Sequence, residues 1–161
     1  MAVGGAAEGI MKKLLLLALL AAGGWFGYGF FARMQQESCY KKLADAWAMG
    51  RTGEALRYAE GETVRQSLEK NPLRGLVDAR MIEAWRGVTY TIESTSKGDG
   101  GDVSIEARQR LAFDPPGITT GIGGGMWLSF HHSARLRHTS SGWKVIAFTP
   151  TFLDFQRIPR R

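Results

Sequence analysis

Leu128-Ser129-Phe130-His131-His132-Ser133-Ala134-Arg135-Leu136-Arg137-His138 is followed by Thr139-Ser140-Ser141-Gly142 and then by Trp143-Lys144-Val145-Ile146, and on this stretch the fold turns. Leu128, Phe130, His132, Ala134 and Leu136 alternate with Ser129, His131, Ser133, Arg135 and Arg137. Successive side chains of a strand point to opposite faces, so this period of two separates an apolar face from a polar, arginine-bearing one. A polar turn closed by Gly142 then returns the chain antiparallel. Trp143 to Thr149 is apolar at both parities, which predicts a central strand or one covered twice.

Upstream the same alternation recurs. Val103, Ile105, Ala107, Leu111 and Phe113 alternate with Ser104, Glu106, Arg108 and Arg110; Val88, Tyr90 and Ile92 alternate with Thr89, Thr91 and Glu93. Lys97-Gly98-Asp99-Gly100-Gly101-Asp102 joins these two as a turn. Asp114-Pro115-Pro116-Gly117 breaks the second strand, and a glycine-bearing loop runs to Met126. Residues 73–87 fit a helix through Leu73, Leu76, Val77, Met81, Ala84 and Trp85, with a strand leading into Val88 as the alternative. Before them the period changes to that of a helix. Tyr40, Leu43, Ala44 and Trp47 fall on one face; Gly50 stops that helix and Thr52 can cap the next. Leu56, Ala59, Val64 and Leu68 form a further stripe, loosened at Gly61 and ended by Asn71-Pro72. Helices followed by strands predict an α+β fold, with two or three helices packed on a curved four-stranded antiparallel sheet.

The N-terminus reads differently. Leu14 to Ala32 is nineteen residues without a charge, preceded by Lys12 and Lys13 and followed by Arg33. As a helix it would be about 28 Å long, close to the hydrocarbon thickness of a bilayer. Its end is aromatic, with Trp25, Phe26, Tyr28, Phe30 and Phe31, and aromatic rings with a polar edge favour the membrane interface. A cleaved signal peptide is the rival reading, with Ala21 and Gly23 at the cleavage positions. The apolar run continues past them through Trp25 to Phe31, which favours a retained anchor. Met11-Lys12-Lys13 reads like a bacterial export start, leaving residues 1–10 as an upstream extension of it. The expected organisation is a tail over 1–13, a transmembrane anchor over 14–32, a linker over 33–37, one domain over 38–155 and a basic tail over 156–161. The expected location is the inner (cytoplasmic) membrane, single-pass, with the domain exported to the periplasm.

Composition narrows the function. One cysteine among 161 residues excludes an intrachain disulfide framework and a cysteine-built zinc site. The net charge of +6 invites an acidic partner or anionic lipid headgroups. Nucleic acid is not expected, because acids stand between the arginines of the basic face and the domain is read as exported.

The order of elements resembles the nuclear transport factor 2-like superfamily, a cone of helices against a curved antiparallel sheet. Ala46-Trp47-Ala48-Met49-Gly50-Arg51-Thr52-Gly53-Glu54-Ala55-Leu56 carries the resemblance, with the closing hairpin Ala134-Arg135-Leu136-Arg137-His138 and Gly142-Trp143-Lys144-Val145-Ile146. It covers about residues 38–155, and no short strand is read between the helices. The resemblance implies one of two lives. The family includes ketosteroid isomerase-like and polyketide cyclase-like enzymes. It also includes non-enzymatic domains on a single membrane anchor, such as the inner-membrane scaffold subunit of type IV secretion systems.

The candidate residues follow from these faces. His131 and His132 are adjacent and so face opposite sides, and His138 lies roughly 20 Å along the strand from His132. No three-histidine metal site and no cofactor are expected. His132 could serve as a general base and Tyr90 as a donor within the cone. Glu93 and Glu106 fall on the outward parity, and nothing places Asp45 or Asp154. Trp47, Trp85, Phe130, His132 and Trp143 would line an apolar cavity if they do not simply fill the core. Arg108, Arg110, Arg135 and Arg137 stand on the outward sheet face as a docking surface. With no catalytic motif recognisable, the sequence leans away from an enzyme. It points to an anchored accessory or scaffold subunit that binds other envelope proteins or a second copy. A small-ligand binder or an isomerase- or cyclase-type enzyme is the alternative.

Overall fold

The computed structural model describes residues 4–71, 85–113 and 126–157. It is α+β, with three helices on a four-stranded antiparallel sheet. The elements are α1 (Gly4–Ala48), α2 (Thr52–Ala55), α3 (Glu62–Glu69), β1 (Trp85–Lys97), β2 (Val103–Phe113), β3 (Met126–Thr139) and β4 (Gly142–Arg157). The chain divides into two compact units, Met1–Glu37 and Ser38–Arg161.

In the first unit, residues 33–37, read as a linker, are helical, and Arg33 pairs with Glu37 one turn on at 3.1 Å. Leu15, Leu17, Tyr28, Phe30, Phe31 and Met34 are exposed. Among the described residues no helix is long and apolar enough to cross a membrane.

In the second unit, α1 ends as its sequence dictates. Arg51 N–H donates to Ala46 C=O at 2.8 Å and Gly50 N–H to Trp47 C=O at 3.0 Å, with Gly50 at φ +67°. This is the left-handed glycine cap that satisfies the last carbonyls of a helix. The stripe expected from Leu56 to Leu68 is not one helix. A single turn, α2, passes into a 3-10 turn at Leu56–Tyr58 and extends at Ala59 before α3 begins. Gly61 sits before α3 at φ +103°, a conformation that no side-chain-bearing residue adopts cheaply. Thr52 is not a cap: Arg51 holds that position, and no side-chain hydrogen bond is made there.

The sheet order is β1-β2-β3-β4, every neighbour antiparallel. The helix expected over 73–87 falls largely outside the described residues, but its last three positions are strand, because β1 starts at Trp85 opposite Phe113. The last strand is not central either. β4 is an edge, and its apolar residues at both parities have two local causes. Bulges at Ile146 and Leu153 shift its register against β3. The free edge is also occupied: Ala59 makes a parallel bridge to Val145, and Glu60 N–H donates to Val145 C=O at 2.9 Å. The Ser67 hydroxyl adds a bond to Phe148 C=O from α3. Between the helices there is thus one bridging residue where the sequence shows no strand.

The core lies between the helices and the inner sheet face. Tyr40, Leu43, Ala44 and Trp47 of α1 meet Ile105, Ala107 and Leu111 of β2, Phe130, Ala134 and Leu136 of β3, and Val145 and Phe148 of β4. Each large apolar side chain buried there contributes about 1.5–3 kcal/mol. Val88, Tyr90 and Ile92 of β1 are half-buried against the rim of this cluster.

Candidate functional site

The sheet presents two faces, and the alternation of β3 assigns one histidine to each. His132 points inward and is fully buried. Trp47 stands edge-on to it at 5.5 Å between ring centroids, Phe148 at 5.0 Å and Tyr40 at 6.0 Å. Burial pushes its pKa down to about 3, with the neighbouring His131 charge adding to the effect. The imidazole is therefore neutral at physiological pH. Tyr40 Oη lies 2.8 Å from His132 Nδ1, and the hydroxyl has no other acceptor among the described residues, so it donates to the ring nitrogen. His132 Nε2 is buried and has no hydrogen-bond partner among the described residues.

Tyr90 heads a second polar group. Its hydroxyl donates to Asp45 Oδ1 and accepts from Gln109 Nε2 at 2.8 Å. Gln109 is fully buried and also reaches Ala44 C=O at 3.4 Å. Burial first, and then the bond to Asp45, drives the Tyr90 phenol well above its ordinary range. Burial does the same to Tyr40. Neither tyrosine is a source of phenolate near neutrality.

The geometry joins Tyr90 to a carboxylate and His132 to a tyrosine, but does not join Tyr90 to His132. Tyr40 stands between them, its ring 5.9 Å from that of Tyr90. A general base needs reach to a substrate proton. His132 is instead enclosed by rings, and its Nδ1 is engaged. Trp47 and Phe130 are buried and pack edge to face at 5.3 Å as core, not as the walls of a cavity. Trp143 is half-buried at the far end of the sheet against the exposed His138. Trp85 opens β1, and its side chain lies outside the described residues. Asp154 is tied to Gln156 near the C-terminal end of β4.

Tyr40, Asp45 and Gln109 were not legible as one constellation. Tyr40 reads as one more core position of α1. Gln109 leaves a trace: it occupies the inward parity between Ala107 and Leu111, where an apolar residue belongs. A polar residue at a core parity calls for a buried partner.

The outward face carries the charges. Arg108 pairs with Glu93 at 3.0 Å, and His131 Nε2 lies 3.5 Å from Glu93 and 3.4 Å from Glu106. The Ser133 hydroxyl donates to Glu106 at 2.8 Å. At the hairpin end, Arg137 grips Asp102 with two bonds, of 2.8 and 2.9 Å. These bonds hold the Asp102 carboxyl below the usual carboxylate range and raise the guanidinium in turn. Of the four expected docking arginines, two are therefore neutralised locally. Arg110 and Arg135 are exposed and have no ion pair among the described residues. In register Arg110 faces Ser129 and Arg135 faces Ser104, six residues apart along β2. At about 3.4 Å per residue the two free cations stand roughly 20 Å apart. Beside the Arg108–Glu93 pair, Thr89, Thr91, Glu93, Arg108 and Arg110 line a concavity of about 230 Å³.

No group of three or more metal-ligating side chains is suitably placed among the described residues. No family model, curated protein or solved structure matches the chain.

Proposed function

We propose that the protein is a non-enzymatic accessory or scaffold subunit. Residues 14–32 anchor it in the inner membrane, and its exported α+β domain docks an acidic envelope protein on the outward sheet face. One observation carries the reading. Tyr40 is bonded to His132 and Tyr90 to Asp45 and Gln109 within the core, whereas on the outward face two guanidiniums, Arg110 and Arg135, make no ion pair among the described residues and flank the cluster of Arg108, Glu93, Glu106 and His131. Such a face adds little to stability, since exposed ion pairs contribute about 0–1 kcal/mol each. It does give a complementary surface its orientation.

The anchor is supported by the uncharged run from Leu14 to Ala32 and by the exposed Leu15, Leu17, Tyr28, Phe30 and Phe31 on α1. Apolar surface of that kind calls for a cover, and lipid supplies one. The reading includes membership of the nuclear transport factor 2-like superfamily, supported by the order of helices and then an antiparallel sheet.

The test is the mass of the protein extracted from its native membranes in mild detergent, with its companions identified. A reproducible complex is expected, and the R110E/R135E double variant should leave it and run alone while melting as the wild type does. A wild-type protein running alone, or a complex indifferent to both reversals, would sink the proposal.

A further inference from the structure

We infer that the concavity between β1 and β2 is a carboxylate-binding subsite of this face, taking one Asp or Glu side chain of the docked protein. This rests on the docking reading above and assigns its chemistry to named atoms. The register sets Thr89 directly opposite Arg110 and Thr91 directly opposite Arg108. Directly opposed residues of antiparallel strands hold their Cβ atoms about 4.5–5.5 Å apart. Two hydroxyls and two guanidiniums therefore share one small patch of rigid sheet.

The patch is divided in its charges. Arg108 is bound to Glu93, and Glu93 is met on its other oxygen by His131, so the acid in the wall already has its partners. Arg110 makes no ion pair or hydrogen bond among the described residues, and neither do the side chains of Thr89 and Thr91. What remains is Arg110 with the hydroxyls of Thr89 and Thr91, all able to donate, beside a Glu93 already paired with Arg108. An ionised carboxylate only accepts, and it pairs in fork geometry with arginine. Its single charge matches the single free guanidinium. A doubly charged phosphate offers the same acceptor chemistry but brings a second charge toward Glu93, so the carboxylate fits better.

The experiment titrates the full-length chain in detergent micelles with N-acetylated, C-amidated triglutamate and follows the backbone amides by NMR. Three residues extend about 10 Å, too short to reach Arg135 from Arg110. Shifts confined to residues 89–93 and 108–110 are expected. R110A should weaken binding tenfold or more, T89V about threefold, and R135A not at all. Arg110 is exposed, so its variant should keep the wild-type melting profile, which separates lost binding from lost fold. Absence of triglutamate binding, or binding indifferent to R110A, would overturn the subsite. So would displacement of triglutamate by inorganic phosphate at lower concentration than by acetate, which would reassign the spot to phosphate. The native complex separates the two ideas. If R135E disrupts it while R110A changes neither complex nor peptide binding, the subsite falls and the docking face stands. If no variant changes the complex, the face itself falls.

Discussion

His132 is a histidine that the fold keeps neutral, and this has a measurable consequence. Its pKa is pushed down to about 3 in the folded chain, against about 6.5 in an unfolded one. Between these values the unfolded chain holds a proton that the folded chain does not. Stability contributed by the neutral ring is therefore present above about pH 6.5 and is lost as pH falls toward 3. Within the window the loss approaches about 1.4 kcal/mol per pH unit. Denaturant melts at pH 7.5 and pH 5 should show the wild type losing about 2 kcal/mol more than His132→Gln. Parallel losses in the two proteins would mean that His132 is not held neutral. The sequence placed this ring correctly on the inner face but could not name its partner. A period of two assigns a side to each residue of a strand and says nothing about which residue of a helix lies above it. Tyr40 and Asp45 become partners of His132 and Tyr90 only through the docking of α1 on the sheet.

Among the elements, the break between α2 and α3 is the one the pattern hides. Leu56, Ala59, Val64 and Leu68 keep a helical spacing, yet the chain extends at Ala59 so that it can cover the edge of β4. An unpaired edge strand exposes a row of backbone donors and acceptors, and a short bridging segment blunts it. Gly61 makes the re-entry into α3 possible. No atom lies within 4 Å of a Cβ built there, so Gly61→Ala meets no clash, and its cost is the positive φ of +103° alone. That cost is about 1–3 kcal/mol. The variant should lose this much in denaturant melts, and the Glu60 amide, bonded to Val145 C=O, should exchange faster with solvent. An unchanged Glu60 amide would show that the bridge does not depend on Gly61. The strands themselves were more legible. Val103 to Phe113 alternates with two exceptions, Gln109 on the apolar parity and Ala112 on the polar one, and the observed β2 has those limits. β4 misled because its bulge at Ile146 brings both Val145 and Phe148 into the core and its bridge to Ala59 covers Val145, whereas Phe152, Leu153 and Phe155 around the second bulge stay exposed. Shelter of that kind comes from residues some 85 positions away in sequence, beyond any local period.

At the scale of the molecule, the division at Glu37 and Ser38 separates two different demands on the chain. Every core residue of the domain lies at or after Cys39, while the exposed Leu15, Leu17, Tyr28, Phe30, Phe31 and Met34 all lie before the division. The buried side chains hold the domain together without residues 14–32, so a chain beginning at Met34 should fold. It keeps the turns of α1 that carry Tyr40, Leu43, Ala44 and Trp47, together with the glycine cap at Gly50. With the long apolar run gone, the large apolar side chains still exposed among the described residues are Met34, Phe152, Leu153 and Phe155. The shortened chain should stay in solution without detergent, melt in one cooperative transition and bind triglutamate as the full chain does. The full chain should need detergent or lipid and should resist extraction from membranes by high salt and by alkaline carbonate. Release of the full chain by carbonate would remove the anchor from the proposed function. Aggregation of the shortened chain would show instead that residues before Met34 are needed by the domain itself, and the two results are read from separate preparations.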